Sequence, residues 1–438
     1  MIDHSRRNAL RVLSAATAAA AGGTLVSRPP AADLKYTPEA GAELRVLRWK
    51  RFVQGDEDQW MANTRKFTEL TGVNVRVDSE NFEDIRPKAA VAANVGSGPD
   101  IVMGWFDDPH LYADRVHDMT DLADYLGGKY GGWYDIVKRY CLRDGRWIAI
   151  GMGILGGCIT YRRSMVEAAG FKEIPTDLPN FLKLLQSLKA KGTPCGFALG
   201  NAVGDANAWC HWVVWAHGGR MVDENNKVVI NSKETIAALE YAKAMYATFI
   251  PGTLSWLDPS NNKAFLAGEI SLTLNGISIY YVAKTSKDAA VKALTSDIYH
   301  AHLPIGAVGR ATELNVFTPG FVFKFTKYPN AAKEYLRFML EKEQYEAWQK
   351  SSLGYVQQTL KAYRSNPVWT EDPKHTPFRD IPDRTLDDGF AGRLGAASAG
   401  VMADYIMVNM VAEAASGASS PADAAAKAER RARRYYRT

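Results

Sequence analysis

Between residues 44 and 103, apolar and polar positions follow a regular order. The pattern predicts strands at 44–49, 73–77 and 100–103, and helices at 58–70 and 82–95. A strand-helix order of this kind is typical of a parallel, doubly wound sheet. Ligands of such sheets bind beyond the carboxyl ends of the strands, so the residues that follow each strand are the first candidates for a site.

The rest of the chain carries more helical than strand patterns. Further strands are predicted at 146–150, 159–161, 270–274 and 315–325, and helices at 165–169, 178–191, 208–217, 235–249, 330–348, 401–415 and 421–436. No stretch after the N-terminal region reaches the roughly 18 apolar residues of a membrane-spanning helix. With 438 residues, the chain is expected to form two or three domains.

The first residues have the pattern of an export signal. Arg6 and Arg7 precede a short apolar run, 12–26, which is mostly alanine and is followed by small residues. Adjacent arginines before such a run indicate the twin-arginine route. We therefore predict a twin-arginine signal peptide at 1–32 and a periplasmic location for the remainder, although an amphipathic N-terminal helix would give a similar pattern.

Charge and cysteine content narrow the class of protein further. The net charge is +5, from 53 Lys and Arg against 48 Asp and Glu, and residues 1–32 hold four arginines against one aspartate. The remaining chain is nearly neutral, so we expect no nucleic-acid partner. The four cysteines match no zinc-binding spacing, and their disulfide state is left open.

Several short motifs occur in an order that resembles one family. They are Phe67-Thr68-Glu69-Leu70-Thr71-Gly72-Val73, Gly98-Pro99-Asp100-Ile101, Asp144-Gly145-Arg146-Trp147, Ala264-Phe265-Leu266-Ala267-Gly268-Glu269, Leu274-Asn275-Gly276, Tyr328-Pro329-Asn330-Ala331 and Ala412-Glu413-Ala414-Ala415-Ser416-Gly417. Together they resemble the carbohydrate-type extracellular solute-binding proteins of ABC importers, the group that includes maltose-binding protein. The resemblance covers essentially all of the chain after residue 42.

The resemblance implies an α/β fold with two lobes, each a sheet flanked by helices, joined by a hinge that the chain crosses more than once. Lobe 1 would comprise 43–152 plus 318–362, and lobe 2 would comprise 153–317 plus 363–438. A carbohydrate-like solute, meaning a sugar, polyol or polyol phosphate, would bind between the lobes and be delivered to the permease subunits in the membrane. We expect a monomer without catalytic residues, metal or cofactor.

Candidate ligand contacts lie at strand ends and in loops. Rings can stack on the C–H faces of a sugar, while carboxylates, amides and cations bond its hydroxyls. The candidates are Trp49, Lys50, Arg51, Glu80, Asn81, Trp105, Asp107 and Asp108 in lobe 1, Asn207, Trp209, Trp256, Asn275 and Asp404 in lobe 2, and Tyr355 where the chain turns back. Trp105 beside two acids is the foremost of them.

Each candidate also has a structural interpretation. Tryptophans more often pack in a core than contact a ligand, and Asp107 is placed to cap the helix after it. Lys50 and Arg51 would form a solvated turn, or, as ligand contacts, would favour an acidic or phosphorylated solute. Ser278 and Asp404 replace aromatic residues that maltose binders carry, which argues against a linear maltodextrin ligand.

An oxidoreductase is the alternative from a different class. Residues 151–156, Gly-Met-Gly-Ile-Leu-Gly, satisfy the dinucleotide-binding pattern after a predicted strand. The stretch would have to open a helix, yet Cys158-Ile159-Thr160-Tyr161 after it is typical of a strand. We therefore expect these glycines to form a hinge crossing. A metal site at Cys210, His211 and His217 is disfavoured because the two histidines would lie on different faces of one helix.

Overall fold

The structure is a computed structural model and describes residues 35–437. The predicted signal peptide, 1–32, lies outside this range. The strands are β1 (Glu43–Trp49), β2 (Asn74–Glu80), β3 (Ile101–Met103), β4 (Leu142–Arg143), β5 (Arg146–Trp147), β6 (Ile150–Leu155), β7 (Cys158–Arg162), β8 (Leu272–Asn275), β9 (Ile298–Ala301) and β10 (Val316–Val322).

Helices surround these strands and hold more of the described residues than the strands do. They are α1 (Gln54–Thr71), α2 (Ile85–Val95), α3 (Asp108–Leu111), α4 (Thr120–Lys129), α5 (Asp135–Cys141), α6 (Arg163–Ala168), α7 (Leu178–Ala190), α8 (Asp205–Ala216), α9 (Lys233–Tyr246), α10 (Ser260–Leu266), α11 (Ser278–Thr285), α12 (Ala289–Ala293), α13 (Pro329–Met339), α14 (Lys342–Ser351), α15 (Thr376–Arg379), α16 (Ile381–Arg384), α17 (Ala396–Ala403), α18 (Ile406–Ala415) and α19 (Pro421–Ala432). Among them, none is long and apolar enough to cross a membrane.

The larger sheet has five strands in the order β2-β1-β3-β10-β6. As predicted, β1 lies parallel to β2 and to β3. The sheet as a whole is mixed, because β10 is antiparallel to β3 and β6 is antiparallel to β10. Both β6 and β10 are buried along their whole length. Apolar runs of this kind show that a strand is buried on both faces but do not encode its direction.

The smaller sheet has three strands in the order β8-β7-β9, and both pairs are antiparallel. The helices α7, α8, α9, α18 and α19 contribute to the hydrophobic core on this side. Each sheet is thus flanked by helices, which confirms the predicted α/β class.

The glycine-rich stretch 151–156 runs through β6 and does not open a helix. A Cβ atom on Gly151 would lie 2.5 Å from Cγ1 of Val137, and one on Gly153 would lie 2.3 Å from Cγ1 of Val356. Glycine is needed here because side chains from other elements pack directly on the strand. The dinucleotide-binding interpretation is therefore wrong.

Three chain segments meet where β6 leads into β7. The amide of Gly156 donates to Oε1 of Gln357 at 2.6 Å, and the amide of Gly157 donates to Oδ1 of Asn315 at 2.9 Å. The predicted lobe boundaries at 152/153 and 317/318 fall inside β6 and β10. The segment after 362 keeps contact with the larger sheet's helices, since the hydroxyl of Tyr363 donates to the carbonyl of Leu340 at 2.6 Å. The lobe boundaries stay a prediction.

Two long predicted helices are each divided in the structure. The 330–348 pattern splits into α13 and α14 around Leu340, and the 401–415 region splits into α17 and α18 at Tyr405, whose φ is 51°. Apolar spacing continued across both breaks, so the pattern alone did not reveal them.

Candidate functional site

A cleft separates the ends of β1 and β2 from the elements around the smaller sheet, and it contains two chambers. The inner chamber has a volume of about 40 Å³ and is lined by Phe52, Phe82, Leu155, Gly204, Asp205, Asp258, Asn275, Gly276, Ser278, Val316 and Tyr355. The outer chamber has a volume of about 230 Å³ and is lined by Lys50, Arg51, Phe52, Asn81, Phe82, Glu83, Leu257, Asp258 and Pro259. Phe52, Phe82 and Asp258 border both, so the chambers adjoin.

Aromatic rings form the wall on the larger sheet's side. Phe52 follows β1 and Phe82 follows β2, and their ring centroids are 5.5 Å apart. The Tyr355 ring is nearly parallel to that of Phe52, with the ring planes 9° apart and the centroids 6.3 Å apart. This continuous wall offers ring faces to a bound molecule, as stacking on the C–H face of a sugar requires.

Two carboxylates stand on the opposite side, at the N-terminus of α8. Asp258 accepts hydrogen bonds from the backbone amides of Gly204 and Asp205 at 3.0 and 2.8 Å. It therefore occupies the positive end of the helix dipole. Asp205 is half-buried and accepts from Nδ2 of Asn261 at 2.6 Å.

Burial perturbs both acids. It raises the pKa of Asp205 well above its ordinary range, and the neighbouring Asp258 charge adds to the effect. Burial also raises the pKa of Asp258 to about 6, with a further contribution from the charge of Glu83. Desolvation and like charges both disfavour the ionised form, and within residues 35–437 neither acid forms an ion pair with a cation that would offset them.

Amides and a hydroxyl complete the polar side. Nδ2 of Asn275, at the end of β8, donates to Oγ of Ser278 at 3.0 Å, and Nδ2 of Asn262 donates to the same oxygen at 2.9 Å. Ser278 is the first residue of α11. It occupies the position at which maltose binders are expected to carry an aromatic residue. A small side chain here leaves space in the inner chamber and adds hydrogen-bonding groups.

The two sides of the cleft are in contact. The amide of Gly55, in α1, donates to the hydroxyl of Tyr281, in α11, at 2.8 Å. A Cβ atom on Gly55 would lie 1.9 Å from the carbonyl oxygen of Ser351. The first turn of α1 is therefore held between α14 and α11.

Five of the predicted contacts line these chambers. Lys50, Arg51 and Asn81 border the outer chamber, and Asn275 and Tyr355 border the inner one. Lys50 and Arg51 are exposed, and Arg51 donates to Oε1 of Gln54 at 2.7 Å. Their role as ligand contacts stays a prediction.

Trp49 and Trp105 lie behind the aromatic wall and line neither chamber. Trp105 is 1% exposed, stacks on Phe82 at 4.5 Å and donates its indole N–H to the carbonyl of Phe82 at 3.0 Å. Trp49 is fully buried and donates to Oδ2 of Asp56 at 3.0 Å. Phe82 thus covers Trp105, and the geometry does not support either tryptophan as a direct platform.

Asp107 and Asp108 are also enclosed by protein. Oδ1 of Asp108 accepts from Nε of Arg86 at 2.5 Å, and Oδ2 accepts from the amide of Trp105 at 3.0 Å. Asp107 accepts from the hydroxyl of Ser398, in α17, at 2.5 Å. Burial raises the pKa of Asp107 well above its ordinary range, and the nearby charge of Asp388 adds to this. Both acids join elements of the fold and line neither chamber.

The other predicted contacts lie outside the chambers as well. Glu80 pairs with Lys88. Asn207 and Trp209 are buried in α8, where the indole of Trp209 donates to the carbonyl of Ala198 at 2.6 Å. Trp256 is half-buried and packs against Gly196. Asp404 is exposed and accepts from the hydroxyl of Tyr435.

The residues that sequence reasoning missed lie close to those it named. Phe52 follows Arg51, Phe82 follows Asn81, and Asp258 lies two residues after Trp256. Asp205 likewise lies two residues before Asn207. Several of the predicted loops border the chambers, but the direction of a side chain in a loop depends on backbone angles that no periodicity encodes.

The described residues contain no group of three or more His, Cys, Asp or Glu side chains that could hold a metal ion. His211, in α8, and His217, directly after it, each bond through Nδ1 to a backbone carbonyl four residues earlier, at 2.8 and 2.7 Å. Cys141, Cys158, Cys195 and Cys210 are buried free thiols.

Comparison with solved structures supports the two-lobe architecture. The maltose-bound MalE3 of T. maritima matches with a TM-score of 0.76 and 18% identity, covering 90% of this chain and 99% of the other. The GacH receptor of Streptomyces glaucescens matches at 0.75 and 17%, covering 91% and 99%. A solute-binding protein of Agrobacterium radiobacter K84 in complex with ribitol matches at 0.73 and 16%, covering 90% and 98%.

Comparison with sequences gives a family but no individual relative. No curated protein matches this chain. The profile of one family, described as bacterial extracellular solute-binding protein, matches residues 62–377. That match covers most of the chain and agrees with the fold and with the cleft between its two sheets. This chain therefore belongs to the family of bacterial extracellular solute-binding proteins.

Proposed function

We propose that this protein is the periplasmic receptor of an ABC importer and binds a hydroxylated solute, a sugar or polyol, in its cleft. The observation that carries the proposal is the composition of the two walls. The rings of Phe52, Phe82 and Tyr355 face polar groups of Asp205 and Asn275 across the inner chamber. Sugars and polyols have apolar C–H faces and many hydroxyls, so they need both kinds of wall.

The solved neighbours support this solute class. Solved structures with this fold have maltose, laminaribiose, tagatose or ribitol bound. The small chambers favour a solute the size of one sugar ring or a short polyol. The protein binds and releases this solute unchanged and passes it to the membrane permease as a monomer.

Bending at the three crossing segments would open the cleft. Gly156 and Gly157 tolerate the backbone changes that a hinge absorbs, and Gln357 and Asn315 link the crossings. A solute that contacts both walls favours the closed state, because it binds that state better than the open one. The bond between Gly55 and Tyr281 would break on opening.

Export by the twin-arginine route is part of the proposal. Replacing both Arg6 and Arg7 by lysine should retain the protein in the cytoplasm, because the paired arginines are what the route reads. Cell fractionation with an antibody to the folded protein measures this. A variant with Arg28→Lys should still be exported, and export of the double variant would contradict the route.

Thermal unfolding with a solute panel tests the binding function. Neutral sugars, alditols, polyol phosphates and NAD are each added to the exported form. A solute at about 100 times its dissociation constant stabilises the folded state by about 2.7 kcal/mol, which shifts the melting temperature measurably. We expect at least one sugar or polyol to act, and a response to NAD alone would refute the proposal.

A pair of phenylalanine variants locates the binding site. Phe52 and Phe325 are both half-buried and both contact another aromatic ring, but only Phe52 lines the cleft. Phe52→Ala should remove the shift produced by the active solute, whereas Phe325→Ala should keep it. Equal responses from the two variants would place the site elsewhere.

A further inference from the structure

We propose that the solute carries a basic nitrogen and is an amino sugar or an amino polyol whose ammonium group binds beside Asp205 and Asp258. This inference rests on the proposed function and names the chemical class for the same cleft. A neutral sugar would satisfy the hydrogen-bonding groups of the chamber. It would leave the two carboxyl groups of the chamber, whose ionised forms burial disfavours, without a cation to stabilise their charge.

The charge balance of the inner chamber is the first argument. Asp205 and Asp258 both line it, whereas no lysine, arginine or histidine does. Among the described residues, neither acid takes part in an ion pair. A third acid, Glu83, adds repulsion from the outer chamber. Buried charges in proteins are normally paired, so an ammonium group supplied by the ligand would complete the site.

The N-terminus of α8 gives the second argument, against an anionic solute. The backbone amides of Gly204 and Asp205 would be the natural donors to a phosphate. Both already donate to Asp258 at 3.0 and 2.8 Å. A phosphate in the inner chamber would therefore meet two carboxylates in place of free donors, and like charges in a site of low polarity repel strongly.

The aromatic wall supplies the third argument. Phe52, Phe82 and Tyr355 border the chamber that the two acids face. Ring faces attract cations, and the attraction grows when the cation is withdrawn from water. An ammonium group would thus find carboxylates on one side and rings on the other, while its sugar or polyol body keeps the stacking contacts of the proposed function.

Lys50 and Arg51 do not change this balance inside the chamber. Both are exposed and border only the outer chamber. Neither is among the charges that act most strongly on Asp205 or Asp258. Their long side chains reach solvent, where charge is screened.

Matched solute series test the inference. Glucose, galactose and mannose are each compared with their 2-amino, 2-acetamido and 6-phosphate forms, and glucitol is compared with its 1-amino form, by calorimetric titration at pH 7. We expect an amino form to bind at least about tenfold tighter than its hydroxyl counterpart, which corresponds to the ~1.4 kcal/mol of one decade in affinity. The acetamido form removes the positive charge and should lose that advantage.

A charge-removing variant identifies the partner of the ammonium group. Asp205→Asn keeps the shape and can still accept from Asn261, but it leaves only Asp258 beside the ammonium group, so the preference for the amino form should fall well below tenfold. Glu224→Gln is the matched control, because Glu224 is exposed and lines neither chamber, and it should keep the tenfold preference.

The outcomes separate this inference from the proposed function. Tighter binding of a neutral form or a phosphate form would overturn the amine inference and leave a sugar-binding receptor. An equal preference for the amino form in wild type and Asp205→Asn would overturn it as well, since Asp205 would then not recognise the positive charge of the ligand. If no solute of the series bound, either in the calorimetric titration or in the thermal unfolding experiment, both proposals would be refuted together.

Discussion

Buried acids on the two sides of the cleft are partnered in opposite ways. On the larger sheet's side, Asp56 accepts from Nη2 of Arg48 at 2.8 Å and from the indole of Trp348 at 2.7 Å. Asp108 is paired with Arg86 in the same manner. On the other side, Asp205 and Asp258 have backbone or amide donors but no cation. A buried acid that already has its arginine belongs to the scaffold, whereas the unpaired acids are available to a ligand.

A perturbed pKa alone does not make this distinction. The charge of Asp388 helps to raise the pKa of Asp107, much as the charge of Asp258 acts on Asp205. Yet Asp107 is covered by Ser398 of α17 and faces no cleft chamber. Shifted acids are candidates for a functional site, and it is the adjoining cavity that separates the two pairs.

Loss of the fully partnered acid should have the largest effect on stability. Asp56→Ala leaves Arg48 as a buried charge without its partner and two indole N–H groups without an acceptor. We expect the free energy of unfolding to fall by ~3–5 kcal/mol. Denaturant unfolding measures it, and Asp58→Ala, at an exposed site on the same helix, should change stability by less than about 0.5 kcal/mol. Similar values for both would break the contrast between scaffold acids and surface acids.

Trp105→Ala should lower the stability of the protein even without a bound solute. The side chain is almost completely buried, and its removal leaves a cavity behind Phe82. We expect a loss of about 3 kcal/mol, the lower end for removing a buried tryptophan. Calorimetry without solute is the measurement. An unchanged melting temperature together with lost solute binding would instead make Trp105 a direct ligand contact.

The unpaired acids should give a characteristic pH dependence. Because the pKa of Asp258 is raised to about 6 in the folded protein, the folded state keeps a proton that the unfolded state has already lost. This contribution to stability is present below the ordinary aspartate pKa and is lost as the pH rises towards 6. The charged groups around the carboxyl are Asp205 and Glu83, with Lys50 and Arg51 in the outer chamber.

Asp258→Asn removes that titration. Between pH 4.5 and 7, the unliganded wild type should lose on the order of 1 kcal/mol relative to the variant. Urea unfolding at the two pH values gives the comparison. Parallel curves for wild type and variant would show that Asp258 titrates normally, and would weaken the argument for an unpaired acid.

The smallest effect is expected at the rim of the cleft, meaning Lys50 and Arg51 at the border of the outer chamber. Lys50→Gln and Arg51→Gln remove exposed charges, so stability should change by less than about 0.5 kcal/mol. Solute association should change only in its salt dependence, because screened charges act on the encounter. Stopped-flow measurements at low and high salt test this. A tenfold loss of affinity for a neutral solute would make the rim cations direct contacts.

The strand and helix order of residues 43–103 could be predicted because the apolar positions of the strands and helices there follow the period of a strand or of a helix. The mixed direction of β6 and β10 could not, since a fully buried strand has the same apolar run in either direction. The break at Tyr405 was also hidden, because a single residue with positive φ ends a helix without interrupting its apolar spacing.

At the site, the loops were predictable and the side chains were not. Phe82 lines the cleft wall and Trp105 lies behind it. Which of the two rings reaches the cleft depends on how β1, β2 and β3 pack together. Asp107 looked like a ligand acid from its neighbours in sequence. It became a structural acid because α17, nearly 300 residues later, packs on α3.

By itself, the sequence determined the alternation of elements, the family resemblance and the strand ends at which a solute would be met, because local periodicity and short motifs encode these features. Only the tertiary structure decided which acids have an arginine partner, which rings face the cleft and which glycines are crowded by distant side chains. Those properties depend on contacts between residues far apart in the chain, and no local pattern specifies them.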